Sequence, residues 1–225
     1  KINFCLVGEP TNPNKLGEMI KIGRRGSING KIKVIGENCH VAYPHRGNNP
    51  TTSLVKILNE IKNLKFDKGN KHFQPTNLEV TKITIDNSAD NIIPGVAEAS
   101  FNIRFNNIHS SSSLKRKLNK IFNKICKKNK SKYEIKYRVS GEAFLSKPDR
   151  TTFMIQNIIK KITKIKPRLS TTGGTSDLRF IRKISPGLEF GLVGRTMHKL
   201  DEAVSLKDLE NLTKIYVNIL QNYFK

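Results

Sequence analysis

Tryptophan is absent from this 225-residue chain, cysteine occurs three times, and acidic residues number 18 against 41 lysines and arginines. Each shortage excludes something. Cys5, Cys39 and Cys126 are odd in number and lack metal-like spacing. Neither a disulfide framework nor a thiolate metal site is expected, and the thiols read as reduced. No stretch reads as a signal peptide or reaches 18 consecutive apolar residues, so a cytoplasmic protein without a membrane span is expected. The scarcity of acid leaves a net charge of +23. The excess is mostly lysine dispersed among asparagine and isoleucine, with no arginine-rich block, no nucleic-acid motif and only 7% aromatics. That pattern argues against a nucleic-acid partner, while the field would still steer an anionic small molecule.

What is present describes a folded protein, 36% hydrophobic, with Gly and Pro throughout. Lys1 leads directly into Ile-Asn-Phe-Cys-Leu-Val, a buried-strand pattern, so a piece of a longer protein is expected. Residues 1–8 read as that strand, and 27–35, 77–85, 96–105 and 133–139 as further strands. Helices are expected at 50–64, where Leu54, Ile57, Leu58, Ile61 and Leu64 follow the 3.6 period, and at 112–128, capped by the Ser110–Ser113 cluster. The resulting β-α-β-β-α-β order is the split ferredoxin-like arrangement. Beyond it come a helix at 151–165, a short strand at 187–193, and a last helix at 205–223 that opens with the capping-box spacing Ser205-x-x-Asp208. The reading is α/β: residues 1–25 and 140–225 form a partial α/β domain, and 26–139 a ferredoxin-like insert.

Four polar clusters lie at strand ends or in loops, where sites collect. Gly8-Glu9-Pro10 offers a carboxylate on a rigid turn, either a metal ligand or a loop glutamate. His40-Val41-Ala42-Tyr43-Pro44-His45 offers two imidazoles for ligation, proton relay or oxyanion donation, or simply surface histidines. Thr172-Gly173-Gly174-Thr175-Ser176-Asp177 could bring backbone N–H groups to a ligand. It is not a Walker loop, and without a G-x-S-x-G elbow Ser176 is not read as a nucleophile. His198, four residues before Glu202, is a candidate metal ligand with Asp201 or Glu202 near to orient its ring, or else part of a loop before the last helix. Arg24 and Arg104 could take substrate carboxylates in a bidentate fork, or form surface ion pairs.

The strings VGEPT (7–11), GRRGSINGKIKVIG (23–36), HVAYPH (40–45), NNP (48–50), FDKGNKHFQPTNLEV (66–80), NIIP (91–94), SGEAFL (140–145), TGGTSD (172–177) and HKLDE (198–202), in this order, resemble the dinuclear zinc aminoacylase and carboxypeptidase family, and within it the succinyl-diaminopimelate desuccinylases. The resemblance covers essentially the whole chain. It implies a truncated zinc-hydrolase α/β catalytic domain with the insert serving as dimerisation domain and lid. It implies hydrolysis of N-succinyl-LL-2,6-diaminopimelate to succinate and LL-2,6-diaminopimelate, in lysine and diaminopimelate synthesis, by a homodimer holding two zinc ions, or zinc with cobalt, per subunit. By the same resemblance Glu9 and His198 ligate metal and His40 donates to the oxyanion across the dimer. Arg24, Ser27, Tyr43, Asn91, Arg104, Gly174 and Thr175 position a small polycarboxylate substrate. The family's first histidine ligand, its bridging aspartate and its Glu-Glu pair have no counterpart in these residues. Cys39, Asp90, Leu178 and Gly194 also depart from the usual glycine, asparagine, glycine and asparagine. The alternatives are a catalytically incomplete, dimerising fragment and a sibling activity such as acetylornithine deacetylation.

Overall fold

The computed structural model describes every residue except Lys1, Ser88 and Thr175. In chain order the strands are β1 (Cys5–Val7), β2 (Met19–Lys21), β3 (Gly23–Arg24), β4 (Gly26–Ile35), β5 (Cys39–His40), β6 (Asn77–Thr84), β7 (Ile92–Ile93), β8 (Val96–Phe105), β9 (Lys132–Gly141), β10 (Phe144–Leu145), β11 (Arg168–Ser170) and β12 (Gly187–Glu189). The helices are α1 (Pro50–Lys62), α2 (Ser111–Lys128), α3 (Arg150–Thr163), α4 (Leu178–Ile181) and α5 (Leu206–Tyr223). Two compact units result: one is Gly26–Ala143, the other Lys1–Arg25 with Phe144–Lys225.

In the unit Gly26–Ala143 the antiparallel sheet runs β6-β8-β4-β9, so the first and third strands of the β-α-β-β-α-β series sit side by side at the centre. Alternation makes this face: Ala97, Ala99, Phe101, Ile103 and Phe105 of β8 point into the core with Ile28, Ile32 and Val34 of β4. The opposite face carries Lys31, Lys33, Glu98, Glu134 and Lys136, with Lys31 paired to Glu98 at 2.7 Å. Helices α1 and α2 close the core with Leu54, Ile57, Ile61, Leu114, Leu118 and Phe122. Gly30 is fixed by this packing, because a Cβ there would lie 2.2 Å from the Phe101 ring. Asn49 caps α1 ahead of Pro50, and Ser110 and Ser113 form a reciprocal capping box on α2. The loop between α1 and β6 is tied by Asp67, whose carboxylate accepts from Gly69 N (2.6 Å), Thr76 N (3.2 Å), Asn106 Nδ2 (2.6 Å) and His109 Nε2 (3.1 Å).

The other unit holds a mixed sheet, β1-β12-β2-β11, and a β3-β10 ribbon. Ile20, Ile22, Leu188 and Phe190 pack under Ile155 and Ile159 of α3 and Leu212, Ile215 and Ile219 of α5. Ser205 caps α5 by accepting from Asp208 N at 3.4 Å, one arm of the expected box. Strand content here is shorter than the apolar runs suggest: of residues 2–8 only Cys5–Val7 are strand, and of 187–193 only Gly187–Glu189. Strands β2 and β11, three residues each, fall below the length at which a period shows.

Candidate functional site

Strands β1 and β12 are parallel, as are β2 and β11, and the two pairs meet antiparallel at one position, Glu189 opposite Lys21. Both are the last residues of their strands, so the carboxyl ends of the two pairs converge. Crevices at such reversals are where α/β sheets hold ligands. A cavity of about 380 Å³ lies there, lined among others by Glu9, Lys21, Arg24, Gly174 and His198.

Each wall has a local cause. Glu9 follows β1 on a loop pinned by the buried Asn12, whose Oδ1 accepts from Gly17 N (3.1 Å) and Met19 N (2.9 Å) and whose Nδ2 donates to Gly191 O (2.7 Å). His198 follows β12 on a loop closed by Thr196, whose hydroxyl donates to Ala203 O (2.8 Å) and accepts from Ala203 N (3.0 Å). His198 has φ +66°, a left-handed conformation that costs a side-chain-bearing residue about 1–2 kcal/mol and so requires a held loop. Glu202 accepts from the His198 backbone N–H at 3.4 Å, so the contact reaches the main chain.

The floor is cationic. Lys21, 6% exposed, donates to Thr172 Oγ1 (2.8 Å) and Ser170 Oγ (3.4 Å). Burial, with Arg24 adding repulsion and Glu189 opposing both, pulls its ammonium pKa down to about 8. Arg24 holds the fully buried Glu189 in a two-nitrogen fork, with Nε at 3.0 Å and Nη2 closer still, and its Nη1 donates to Thr172 O at 3.1 Å. Ser176 donates its hydroxyl to the same carboxylate. Gly173 has φ +105° and lies against Arg24, where a Cβ would stand 2.4 Å from Nη1.

Of the residues singled out from sequence, Glu9, Arg24, Gly174 and His198 thus line one cavity, and Thr175 lies outside the described residues. The others belong to the unit Gly26–Ala143. There β5 pairs with β7, and the loop between β5 and α1 brings the His40 and Tyr43 rings to 5.9 Å, while Asn91 O accepts from Val41 N at 3.0 Å. His40 Nδ1 accepts from Ala42 N at 3.0 Å, which leaves Nε2 of the exposed ring as the nitrogen able to donate. Ser27 and Arg104 are cross-strand neighbours on β4 and β8, and Asn102 Nδ2 donates to Ser27 Oγ at 3.2 Å. Lys21, Glu189 and Asn12 were not singled out. A lysine and a glutamate within short apolar strands were the available sign, since buried charge must be paired.

Glu9 and His198 have donor chemistry suited to zinc, but catalytic zinc takes three protein ligands. Among the described residues no group of three His, Cys, Asp or Glu is placed to hold a metal. These two would hold a metal ion only with donors from outside this set.

Comparison with known proteins agrees with this architecture. Residues 22–130 match the peptidase dimerisation domain family. The chain is 75% identical over 224 residues to a succinyl-diaminopimelate desuccinylase of Pelagibacter ubique, covering 100% of this chain and 58% of that protein. It is 47% identical to one of Parvibaculum lavamentivorans, over 99% of the chain and 56% of the relative. The chain therefore spans somewhat over half the length of these curated relatives. An aminopeptidase PepT structure from Bacillus cereus superposes with TM-score 0.83 at 16% identity, over 98% of this chain and 57% of that one. The dipeptidase Dug1p of Saccharomyces cerevisiae superposes with TM-score 0.68 at 14% identity, over 99% and 59%. Those two likenesses concern the fold alone. Across its whole length the chain is thus similar to succinyl-diaminopimelate desuccinylases, and a peptidase dimerisation domain matches its residues 22–130.

Proposed function

We propose that this chain forms part of the active site of a zinc-dependent amide hydrolase that cleaves N-succinyl-LL-2,6-diaminopimelate to succinate and LL-2,6-diaminopimelate. The observation that carries it is the single cavity on which Glu9, His198 and a buried cationic floor meet. When bound, zinc lowers the pKa of a coordinated water to about 7 and polarises the amide carbonyl. Glu9 and His198 each contribute one ligand. Lys21 presents its ammonium to a substrate carboxylate, and Arg24, engaged by Glu189, positions the Thr172–Gly174 loop whose backbone faces the same space. Glu9 is the only carboxylate lining the cavity among the described residues, so the general base comes from elsewhere in the longer protein.

The unit Gly26–Ala143 is read as the homodimer contact and lid. The dimerisation-domain match supports this, as do the apolar residues Ile83, 57% exposed, and Ile85 at the sheet-edge strand β6 and its end, with Val55 on the adjoining α1. His40, with its Nε2–H free of Ala42, donates to the developing oxyanion in the other subunit's cavity, beside Tyr43 and Asn91; Ser27 and Arg104 take a substrate carboxylate. A second reading, a dimerising piece without catalysis, is favoured by the lack of a three-donor cluster among the described residues.

The test is a chimera in which this chain replaces its matching residues in the Pelagibacter ubique relative, assayed with zinc on succinyl-diaminopimelate and on acetylornithine. The chimera should turn over the succinyl substrate, while Glu9→Gln and His198→Ala should each lower kcat/KM by about a hundredfold or more, since a metal supplies several kcal/mol of transition-state stabilisation. The 225-residue chain alone should show no turnover. Preference for acetylornithine, or full activity in both variants, would overturn the reading.

A further inference from the structure

The loop that carries His40 is held by little apolar contact. Residues 40–46 are all exposed, and β5 and β7, two residues each, are too short to be stable as a pair on their own. Polar anchors therefore set where the ring goes. A backbone bridge closes the loop at its base: Glu37 N donates to Asn48 O at 2.9 Å, and Asn48 N to Glu37 O at 3.0 Å. The Asn48 side chain reaches the turn after α2, where Nδ2 donates to Lys130 O at 2.6 Å and Oδ1 stands 3.5 Å from Ser131 Oγ. That turn is itself fixed. Lys130 N donates to Lys127 O (3.3 Å) and Ser131 N to Cys126 O (2.9 Å), the paired bonds of a Schellman motif. Ser131 Oγ also lies 2.8 Å from Oγ of the wholly buried Ser53 in α1. Lys130 occupies the position where glycine is usual, with φ +52°, at a cost of about 1–2 kcal/mol. In that conformation its carbonyl meets Asn48 Nδ2.

We infer that Asn48 is a positioning residue for His40: by joining the base of the His40 loop to the turn after α2, it sets the direction in which Nε2 donates. Its polar groups are divided between two anchors, backbone to Glu37 and side chain to Lys130 and Ser131. With the backbone bridge alone the loop pivots about one line. The side-chain bonds tie that pivot to the end of a helix whose Leu114, Leu118, Phe122 and Cys126 lie in the core. Direction matters because an oxyanion donor must sit about 3 Å from the developing charge, and a displacement of about 1 Å costs up to about a hundredfold in rate. The inference rests on the reading of His40 as that donor. Asn48 acts through the loop, and every bond in the argument lies within the unit Gly26–Ala143.

The test uses the chimera described above, carrying His40→Ala, Asn48→Ala, Asn48→Asp, or His40→Ala combined with either Asn48 variant. His40→Ala should lower kcat by about a hundredfold or more, the loss expected for one oxyanion donor. Asn48→Ala should lower kcat by about tenfold and leave KM within about twofold, because the donor acts in the transition state. With His40→Ala already present, Asn48→Ala should change kcat by less than about twofold, since nothing remains to be positioned. Asn48→Asp keeps the shape but turns the donor to Lys130 O into an acceptor, and its charge is favourable beside the α1 N-terminus. It should match Asn48→Ala in kcat, and it carries the test if the alanine variant fails to fold. In both Asn48 variants the amides of Val41 and Tyr43 should exchange at least about tenfold faster, while those of β4 and β8 stay unchanged. Four results would overturn the inference: kcat within about twofold of the parent in both Asn48 variants, an equal loss of kcat in the His40→Ala background, a rise in KM alone, or an equal rise of exchange in β4 and β8. If His40→Ala itself leaves kcat intact, the reading of His40 falls and this inference with it; if only the Asn48 variants are silent, that reading stands and this inference falls alone.

Discussion

Replacing Glu189 by Gln should destabilise the unit that contains the cavity by about 3 kcal/mol. Glu189 is wholly buried, and it is the counter-charge for the Arg24 fork, the acceptor for Ser176 Oγ and the cross-strand neighbour of Lys21. Glutamine keeps the shape and one acceptor oxygen but removes the charge. Two buried cations then face each other without compensation. Breaking a buried pair by neutralising one partner costs about 3–5 kcal/mol, and for a chain of this size each kcal/mol moves the melting temperature by about 2–4 °C. The expected fall in differential scanning calorimetry is therefore about 10 °C. Substituting both partners, Arg24→Met with Glu189→Met, should recover part of the loss, because it removes both charges of the pair while Ser176 Oγ loses its acceptor. A fall under about 2 °C for Glu189→Gln, or a double variant worse than the single one, would refute the argument that charge balance holds this wall.

Three further outcomes are expected. Because the Lys21 ammonium titrates near 8, substrate binding in the chimera should weaken as pH rises through that value; Lys21→Met should raise KM at pH 7 and abolish the dependence, checked by KM–pH profiles. The linked stability has the opposite sense: the folded pKa lies below the unfolded one, so the penalty of a buried charge is full below pH 8 and is relieved as pH climbs from about 8 towards 10.5. Gly173→Ala should raise KM about tenfold or more, since its Cβ would displace Arg24 Nη1 and its φ is left-handed, whereas Gly194→Asn should be accommodated, its Cβ meeting Pro10 at 3.5 Å and Met197 at 3.9 Å, both ordinary contacts. Burial opposes ionisation of Asp67, but hydrogen bonds from Thr76, Gly69 and Asn106 outweigh it and lower its pKa. Asp67→Asn should thus destabilise the unit Gly26–Ala143 at pH 7 and flatten its loss of stability on acidification below about pH 4, read by urea unfolding across pH.

How much was legible in the sequence depended on the distance over which each feature is decided. Helices α1 and α2 showed as 3.6-residue stripes, and β8 as a strand-like run, because one buried face dictates each pattern. Strands β2 and β11 did not show. They are three residues long and are specified by each other across nearly 150 positions. The cavity floor is still less local: Lys21 and Glu189 look like interruptions of apolar runs until pairing sets them side by side. Glu9 and His198 were candidates from their loops and ligands by resemblance, and only the meeting of the β1 and β12 ends with β2 puts them on one wall. The periodicity of the last helix reads as burying Leu206 and Leu209 with Leu212 and Ile219, whereas Leu206 and Leu209 are exposed and Ile215 is in the core, because spacing alone does not say how far an apolar stripe is covered.

The β3–β10 ribbon has a consequence for how the polypeptide reaches its native state. Arg24 opposite Phe144 and Gly23 opposite Leu145 hold the chain where it leaves the first unit beside the point where it returns. Within the intervening unit, the first and last strands are themselves paired, Ser27 opposite Gly141. Once that unit has formed, its two ends are already neighbours. The return segment then closes onto β3 through a short gap instead of a loop of more than a hundred flexible residues, with a correspondingly smaller entropic barrier. Assembly is thus expected to proceed from the middle outward, and slowing the inner unit should slow everything after it.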